Sequence, residues 1–232
     1  IGGVGVGLIF FVSSLICSHF QEKISPDYFL LFDFPKFVTP ILLIFFVGLI
    51  DGFIDLKGTV KLLLQISISA LAYFLCDRLT IIHIPIVGST RLLPTISLVL
   101  TVFWLVGITN TINLIDGIDG LCSGVTAISS FAFSIIAFHT GQKELFLILM
   151  LLMISAISFL PYNWFVAKCF VGDSGAYLYG FTLALASILI CYNSSERPAL
   201  TYSSVIILGL PIADTTYAIL RRLTNREPLF AG

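Results

Sequence analysis

Long apolar runs follow one another along this chain with only short polar breaks, near residues 1–19, 38–50, 61–77, 95–110, 122–140, 145–160, 175–192 and 199–220. Such runs have no polar face to turn towards water, so the solvent they imply is lipid. A membrane β-barrel would show shorter segments of alternating character, whereas these runs are continuous and read as helices. A helix needs about 20 residues to cross about 30 Å of hydrocarbon, so 232 residues hold about eight spans. Composition agrees: 58% of residues are hydrophobic and 11% charged, with a mean hydropathy of +1.06, where a soluble domain carries about 25% charge. The expected fold class is all-α, a polytopic helical membrane protein.

The net charge of −1 carries no basic excess for nucleic acid. Cys17, Cys76, Cys122, Cys169 and Cys191 are scattered without a CxxC or Cys/His cluster, which indicates neither a disulfide framework nor a zinc site. Between the third and fourth runs, Thr80–Pro94 contains Ile-Ile-His-Ile-Pro-Ile-Val before Gly88, and its β-branched content predicts a small hairpin. No internal repeat or second domain is visible, so residues 1–232 read as one integral-membrane domain. The chain opens at Ile1, without Met and already inside an apolar run, and the expectation is a piece cut at both ends.

The densest polar signal is Asn110-Thr-Ile-Asn113-Leu-Ile-Asp116-Gly117-Ile-Asp119-Gly120. Acceptors recur every three residues, a step that keeps neighbouring side chains adjacent on a helical segment. A carboxylate in the bilayer costs about 2.5–3.5 kcal/mol even on lenient scales, so two in one strip call for a cation, a water-filled cavity or a task. Phe170-Val-Gly172-Asp173-Ser-Gly175 sets another acid between glycines before a run, either as an oxygen ligand for a hard cation or as an ordinary N-cap. Pro161-Tyr162-Asn163-Trp164 offers an amide beside aromatics, fit for reading a base or for an interface belt. Asp51-Gly-Phe-Ile-Asp55 places two carboxylates one turn apart, with Lys57 and Lys61 following to neutralise them or to hold a phosphate. Pro211-Ile-Ala-Asp214-Thr puts an acid inside the last run, where bracing is the expected role. His19, His83 and His139 receive no role.

Helix parity puts loops 51–60, 111–121 and 161–174 and the tail 221–232 on one membrane face. That face collects the acids together with Asn110, Asn113, Asn163, Lys57 and Lys61, a setting for a divalent metal and phosphates beside lipid. Lys and Arg are equal on the two faces (Lys57, Lys61, Lys168, Arg221, Arg222 and Arg226 against Lys23, Lys36, Arg78, Arg91, Lys143 and Arg197). The Arg221–Arg222–Arg226 cluster tilts the motif face towards the cytoplasm.

These loops resemble the polyprenyl-phosphate N-acetylhexosamine-1-phosphate transferases, the family of WecA, TagO and MraY (glycosyltransferase family 4). Asn113-Leu-Ile-Asp-Gly-Ile-Asp-Gly-Leu121 is similar to its N-x-x-D-G-x-D-G-L signature, and Phe170–Gly175 to its F-x-G-D-x-G, with Tyr162-Asn163 upstream. Pro211-Ile-Ala-Asp-Thr-Thr with Ile219-Leu-Arg-Arg-Leu223 resembles its P-x-x-D-T…RR segment, and Gly2-Gly3-Val4 the start of its second helix. Where the family has D-D-x-x-D, this chain has Gly52 at the second acid. The family's H-x-H-H loop is expected just beyond Gly232.

The resemblance implies ten or eleven helices in the full protein, an active site on the cytoplasmic face of the inner membrane, and Mg²⁺ or Mn²⁺. It implies transfer of a sugar-1-phosphate from a UDP-N-acetylhexosamine to undecaprenyl phosphate, with release of UMP. The wording around Asn113 is closer to the WecA/TagO enzymes, which favours UDP-GlcNAc. The expected roles are catalysis by Asp51, Asp116 and Asp119, and metal binding by Asp173 helped by Asp116. Substrate contacts are expected from Asn110, Asn113, Gly117, Asn163, Lys61, Asp55, Arg221 and Arg222. Membrane lipid is a further partner, and a homodimer is allowed for. Two other classes are compatible with parts of the pattern: a family member impaired by Gly52, and an ion-coupled carrier. The acids gather at one face and no repeat appears, which argues against the carrier.

Overall fold

The computed structural model describes residues 2–24, 34–76, 80–84, 88–164, 167–192 and 198–225. The elements in chain order are α1 (Gly2–Ile24), α2 (Phe34–Ile54), α3 (Gly58–Leu75), β1 (Ile81–Ile84), β2 (Gly88–Arg91), α4 (Pro94–Ile115), α5 (Leu121–His139), α6 (Lys143–Asn163), α7 (Gly172–Tyr192), α8 (Pro198–Ile207) and α9 (Gly209–Thr224). The chain is a multi-pass membrane protein. The six helices α2 to α7 are long and apolar enough to span a membrane, α8 and α9 together form a bent seventh candidate, and Gly2–Ile16 is a shorter apolar stretch. The outer surface is apolar, with Phe53, Phe103, Ile128 and Ile206 among the most exposed side chains, as lipid contact requires.

The expected hairpin forms, with Ile81 paired to Arg91 and Ile84 to Gly88 in an antiparallel register. Pro94 then opens α4 at a position where a missing N–H costs nothing, after Leu93 in extended backbone. The last apolar run departs from expectation. The sequence predicts one helix with Pro211 and Asp214 inside it. Instead the chain breaks at Leu208 and the two pieces meet at 53°. Pro211 therefore lies in the first turn of α9, where a proline is tolerated. Asp214 is exposed on α9 and does not brace the bundle.

α7 is the central pillar. Its span is 94% buried, and it packs against α1, α2, α4, α5, α6 and α8. Phe10 of α1, Ile44 of α2, Ile112 of α4, Phe133 of α5 and Leu152 of α6 are fully buried in the core around it. Two contacts are so close that only glycine fits. A Cβ on Gly180 of α7 would meet Thr109 Cα of α4 at 2.7 Å, and one on Gly48 of α2 would meet the Ser174 backbone at 2.6 Å. Close backbone approach through glycine is how helices gain packing in lipid, where no hydrophobic force drives them together. Trp104 of α4 adds a hydrogen bond, its Nε1–H donating to Ser187 Oγ of α7 at 2.8 Å.

Candidate active site

Three loops meet at one end of the bundle, as parity predicts: α2–α3, α4–α5 and α6–α7. The stitching is specific. The buried Asp116, which follows α4, accepts the N–H groups of Val171 at 3.3 Å and Gly172 at 2.7 Å. It thus satisfies donors at the N-terminus of α7, where a carboxylate is favoured by the helix dipole. Burial pushes the Asp116 carboxyl above its ordinary range, against the pull of those two N–H groups and the Cys122 thiol. Asp119 is exposed and its Oδ2 accepts the Ala167 N–H at 3.1 Å. Asn163 is fully buried; its Oδ1 accepts the Gly120 N–H at 3.1 Å and its Nδ2 donates to the Cys169 carbonyl at 3.0 Å.

Beside this stitching lies a charged cluster. Lys61 Nζ is 2.7 Å from Asp51 Oδ2, 3.9 Å from Asp55 Oδ1 and 3.9 Å from Asp173 Oδ2. The Asp51 side chain is fully buried, and its Oδ1 accepts the Leu56 N–H at 2.9 Å, which ties the α2–α3 turn. Asp173 is one-third exposed and faces both Asp51 and the Asn113 amide. Asp55 is fully exposed, with a left-handed φ of +52° that closes the α2 C-terminus.

This placement gives several expected site residues their partners. Asp51 lies against Lys61, its Oδ2 2.7 Å from the ammonium. Both oxygens of Asp116 serve the start of α7, whereas Asp173 is one-third exposed beside Lys61. Asn163 braces two loops, with both ends of its amide engaged. Asn110 turns inward: its Nδ2 donates to Gln65 Oε1 at 2.6 Å and to the Val106 carbonyl at 2.8 Å. Asn113, Asp119 and Gly117 remain at the accessible end, and a Cβ at Gly117 would meet open space. Arg221 is exposed on α9, while the Arg222 side chain and residues 226–232 lie outside the described residues. Gln65 and Tyr177 are buried one turn below Lys61 and Asp173, and the sequence reading overlooked both. A glutamine in the middle of an apolar run, four residues after a motif lysine, was the available signal.

The fold and site together define a polytopic membrane protein with an acid-and-lysine site at one end of a helical bundle. The sequence model of glycosyl transferase family 4 matches residues 34–191, and the chain belongs to that family. It is 37% identical over 189 residues, 82% of this chain and 52% of the relative, to a Bacillus subtilis (strain 168) protein named a probable undecaprenyl-phosphate N-acetylglucosaminyl 1-phosphate transferase. It is 30% identical over 238 aligned positions, 97% of this chain and 69% of the relative, to the phospho-N-acetylmuramoyl-pentapeptide-transferase of Staphylococcus aureus (strain JH9). The chain thus spans about half the length of the Bacillus relative it matches.

Proposed function

We propose that the protein transfers N-acetylhexosamine-1-phosphate, with GlcNAc as the favoured sugar, from its UDP derivative to undecaprenyl phosphate, starting a lipid-linked envelope glycan. The observation that carries this reading is the Asp51–Lys61–Asp173 cluster, set where three loops close one end of a lipid-embedded bundle. Two anionic phosphates must meet there, and a lysine held among carboxylates beside a membrane is suited to balance them. The relatives' names support the substrate class, and the Bacillus relative supports GlcNAc over the muramoyl pentapeptide.

In the reaction, an oxygen of the lipid phosphate forms a bond to the β-phosphorus of the donor. The bond from that phosphorus to the bridging oxygen breaks, and its electron pair leaves with UMP. A phosphate monoester is largely ionised at pH 7, so no strong protein base is required. Lys61, fastened by Asp51, supplies positive charge at a fixed place. Trp164, exposed beside Gly120, offers a ring face to the uracil, with Asp119 close by.

A divalent cation fits the donor chemistry. Asp173 and the Asn113 amide are hard oxygen donors, whereas among the described residues no group of three or more His, Cys, Asp or Glu converges to cage a metal. That set suits Mg²⁺ or Mn²⁺ held jointly by a carboxylate and substrate phosphates. Bound there, the ion would supply charge neutralisation on the diphosphate. The site faces the cytoplasm in this reading, where nucleotide sugars are available.

The test is UMP release by membranes carrying the full-length protein, with undecaprenyl phosphate, UDP-GlcNAc and Mg²⁺, with and without EDTA. UMP that depends on both lipid and metal is expected. Silence with every UDP-N-acetylhexosamine overturns the reading. Restoration by Gly52→Asp in that case would identify an impaired member of the family.

A further inference from the structure

The three helices that carry Lys61, Asn113 and Asp173 each place a second polar residue one turn deeper in the bundle. Gln65 follows Lys61 by four residues on α3, Asn110 precedes Asn113 by three on α4, and Tyr177 follows Asp173 by four on α7. α3 and α7 run away from the site and α4 runs towards it, so all three lie on its inner side. They also meet. Asn110 Nδ2 donates to Gln65 Oε1 at 2.6 Å, and Gln65 Nε2 donates back to Asn110 Oδ1 at 3.3 Å. The Tyr177 hydroxyl faces the same Gln65 carboxamide. Gln65 is 1% exposed and Tyr177 is 2% exposed.

We propose that Gln65, Asn110 and Tyr177 form a positioning layer that fixes Lys61 of α3 against Asn113 of α4 and Asp173 of α7. A leucine at position 65 would suit the apolar interior as well as glutamine does. A buried carboxamide adds direction and register, because its donors and acceptors are met in one arrangement only. Register matters here because Lys61 is a long, flexible side chain whose ammonium lies among three carboxylates. A small rotation of α3 would shift it away from Asp173. Gln65 is the joint of the layer, since it touches both neighbouring helices, and none of the three residues touches substrate in this account.

The activity arm of the test rests on the transferase reading above, and a distance measurement does not. Gln65→Leu in the full-length protein is expected to lower kcat for UMP release by about 10- to 100-fold, the effect of misplacing a group by about 1 Å. KM for the UDP-sugar and the amount of folded protein should change little. The exchange Gln65→Asn with Asn110→Gln keeps the summed length of the pair and should return most of the lost kcat. An unchanged kcat in Gln65→Leu overturns the proposal, and so does an exchange variant as slow as Gln65→Leu. For the distance arm, spin labels go on the exposed Cys169 and on Lys57→Cys, in a Cys17→Ser, Cys191→Ser background in lipid nanodiscs. Gln65→Leu should broaden or shift the distance distribution between α3 and the α6–α7 loop, and the exchange should restore it. An unaltered distribution overturns the proposal. If the parent protein releases no UMP from any donor, the transferase reading fails while the label distances still decide the layer's role.

Discussion

α7 and α3 each bring one charged residue to the site, Asp173 and Lys61, yet they are held in opposite ways. The α7 span is 94% buried and the α3 span 28%. α7 is gripped by apolar side chains and by close backbone contacts at Gly48 and Gly180. α3 lies at the rim with Leu63 and Phe74 turned outward, and polar groups hold it: Gln65 to Asn110, Tyr73 O–H to the Pro94 carbonyl at 3.0 Å, Cys76 Sγ–H to the Lys36 carbonyl at 3.3 Å, and Lys61 to Asp51. In lipid, apolar surface does not by itself pull a helix inward, so a rim helix needs directed bonds to hold a register. The acid therefore stands on a rigid post and the lysine on an outlying helix fastened at a few points.

Four substitutions probe this contrast, in falling order of effect. Asp173→Asn should reduce UMP release on the order of 10²–10³-fold, the usual loss when one electrostatic stabiliser is removed, with an unaltered melting temperature. Gly180→Val forces side-chain atoms into the α4 backbone and should destabilise by about 1–3 kcal/mol in thermal unfolding, because the post itself is disturbed. Tyr73→Phe removes one fastening of α3 and should cost about 0.6 kcal/mol in denaturant titration, the average for a hydrogen bond between membrane helices. Gly52→Asp should change stability by less than about 0.5 kcal/mol, because a Cβ at Gly52 meets nothing. A larger loss there would show that the end of α2 is more crowded than its open surroundings indicate.

The helices and the hairpin were legible because uninterrupted apolar runs, Pro94 and a β-branched segment leave few alternatives. The gathering of three loops followed from counting crossings. The rank of the helices did not: α3 and α7 have nearly the same hydropathy, so nothing in their composition tells rim from centre. The break at Leu208 was missed because Gly209 and Pro211 read equally well as features of one kinked helix. Residue roles were legible as chemistry but not as direction. Asn110, Asn163 and Asp116 belong to the right motifs, but each has polar atoms taken up by the protein, through Gln65, Gly120 with Cys169, and the start of α7 respectively. A repeating pattern shows which side chains are neighbours along one helix. It does not show which of them another helix will claim.

The place of α7 in the chain order has a consequence for biosynthesis. Chains emerge from the ribosome N-terminus first, so α1, α2 and α4 enter the bilayer before the helix they are shaped to embrace has been made. Until it arrives, the glycine notch at Gly48 and the α4 surface that receives Gly180 can face only lipid or provisional neighbours. Insertion of these helices and their final packing are therefore separate events in time. A nascent chain stopped before Gly172 should hold its early helices in the membrane with the α2–α3 loop not yet joined to the other two through Asp173.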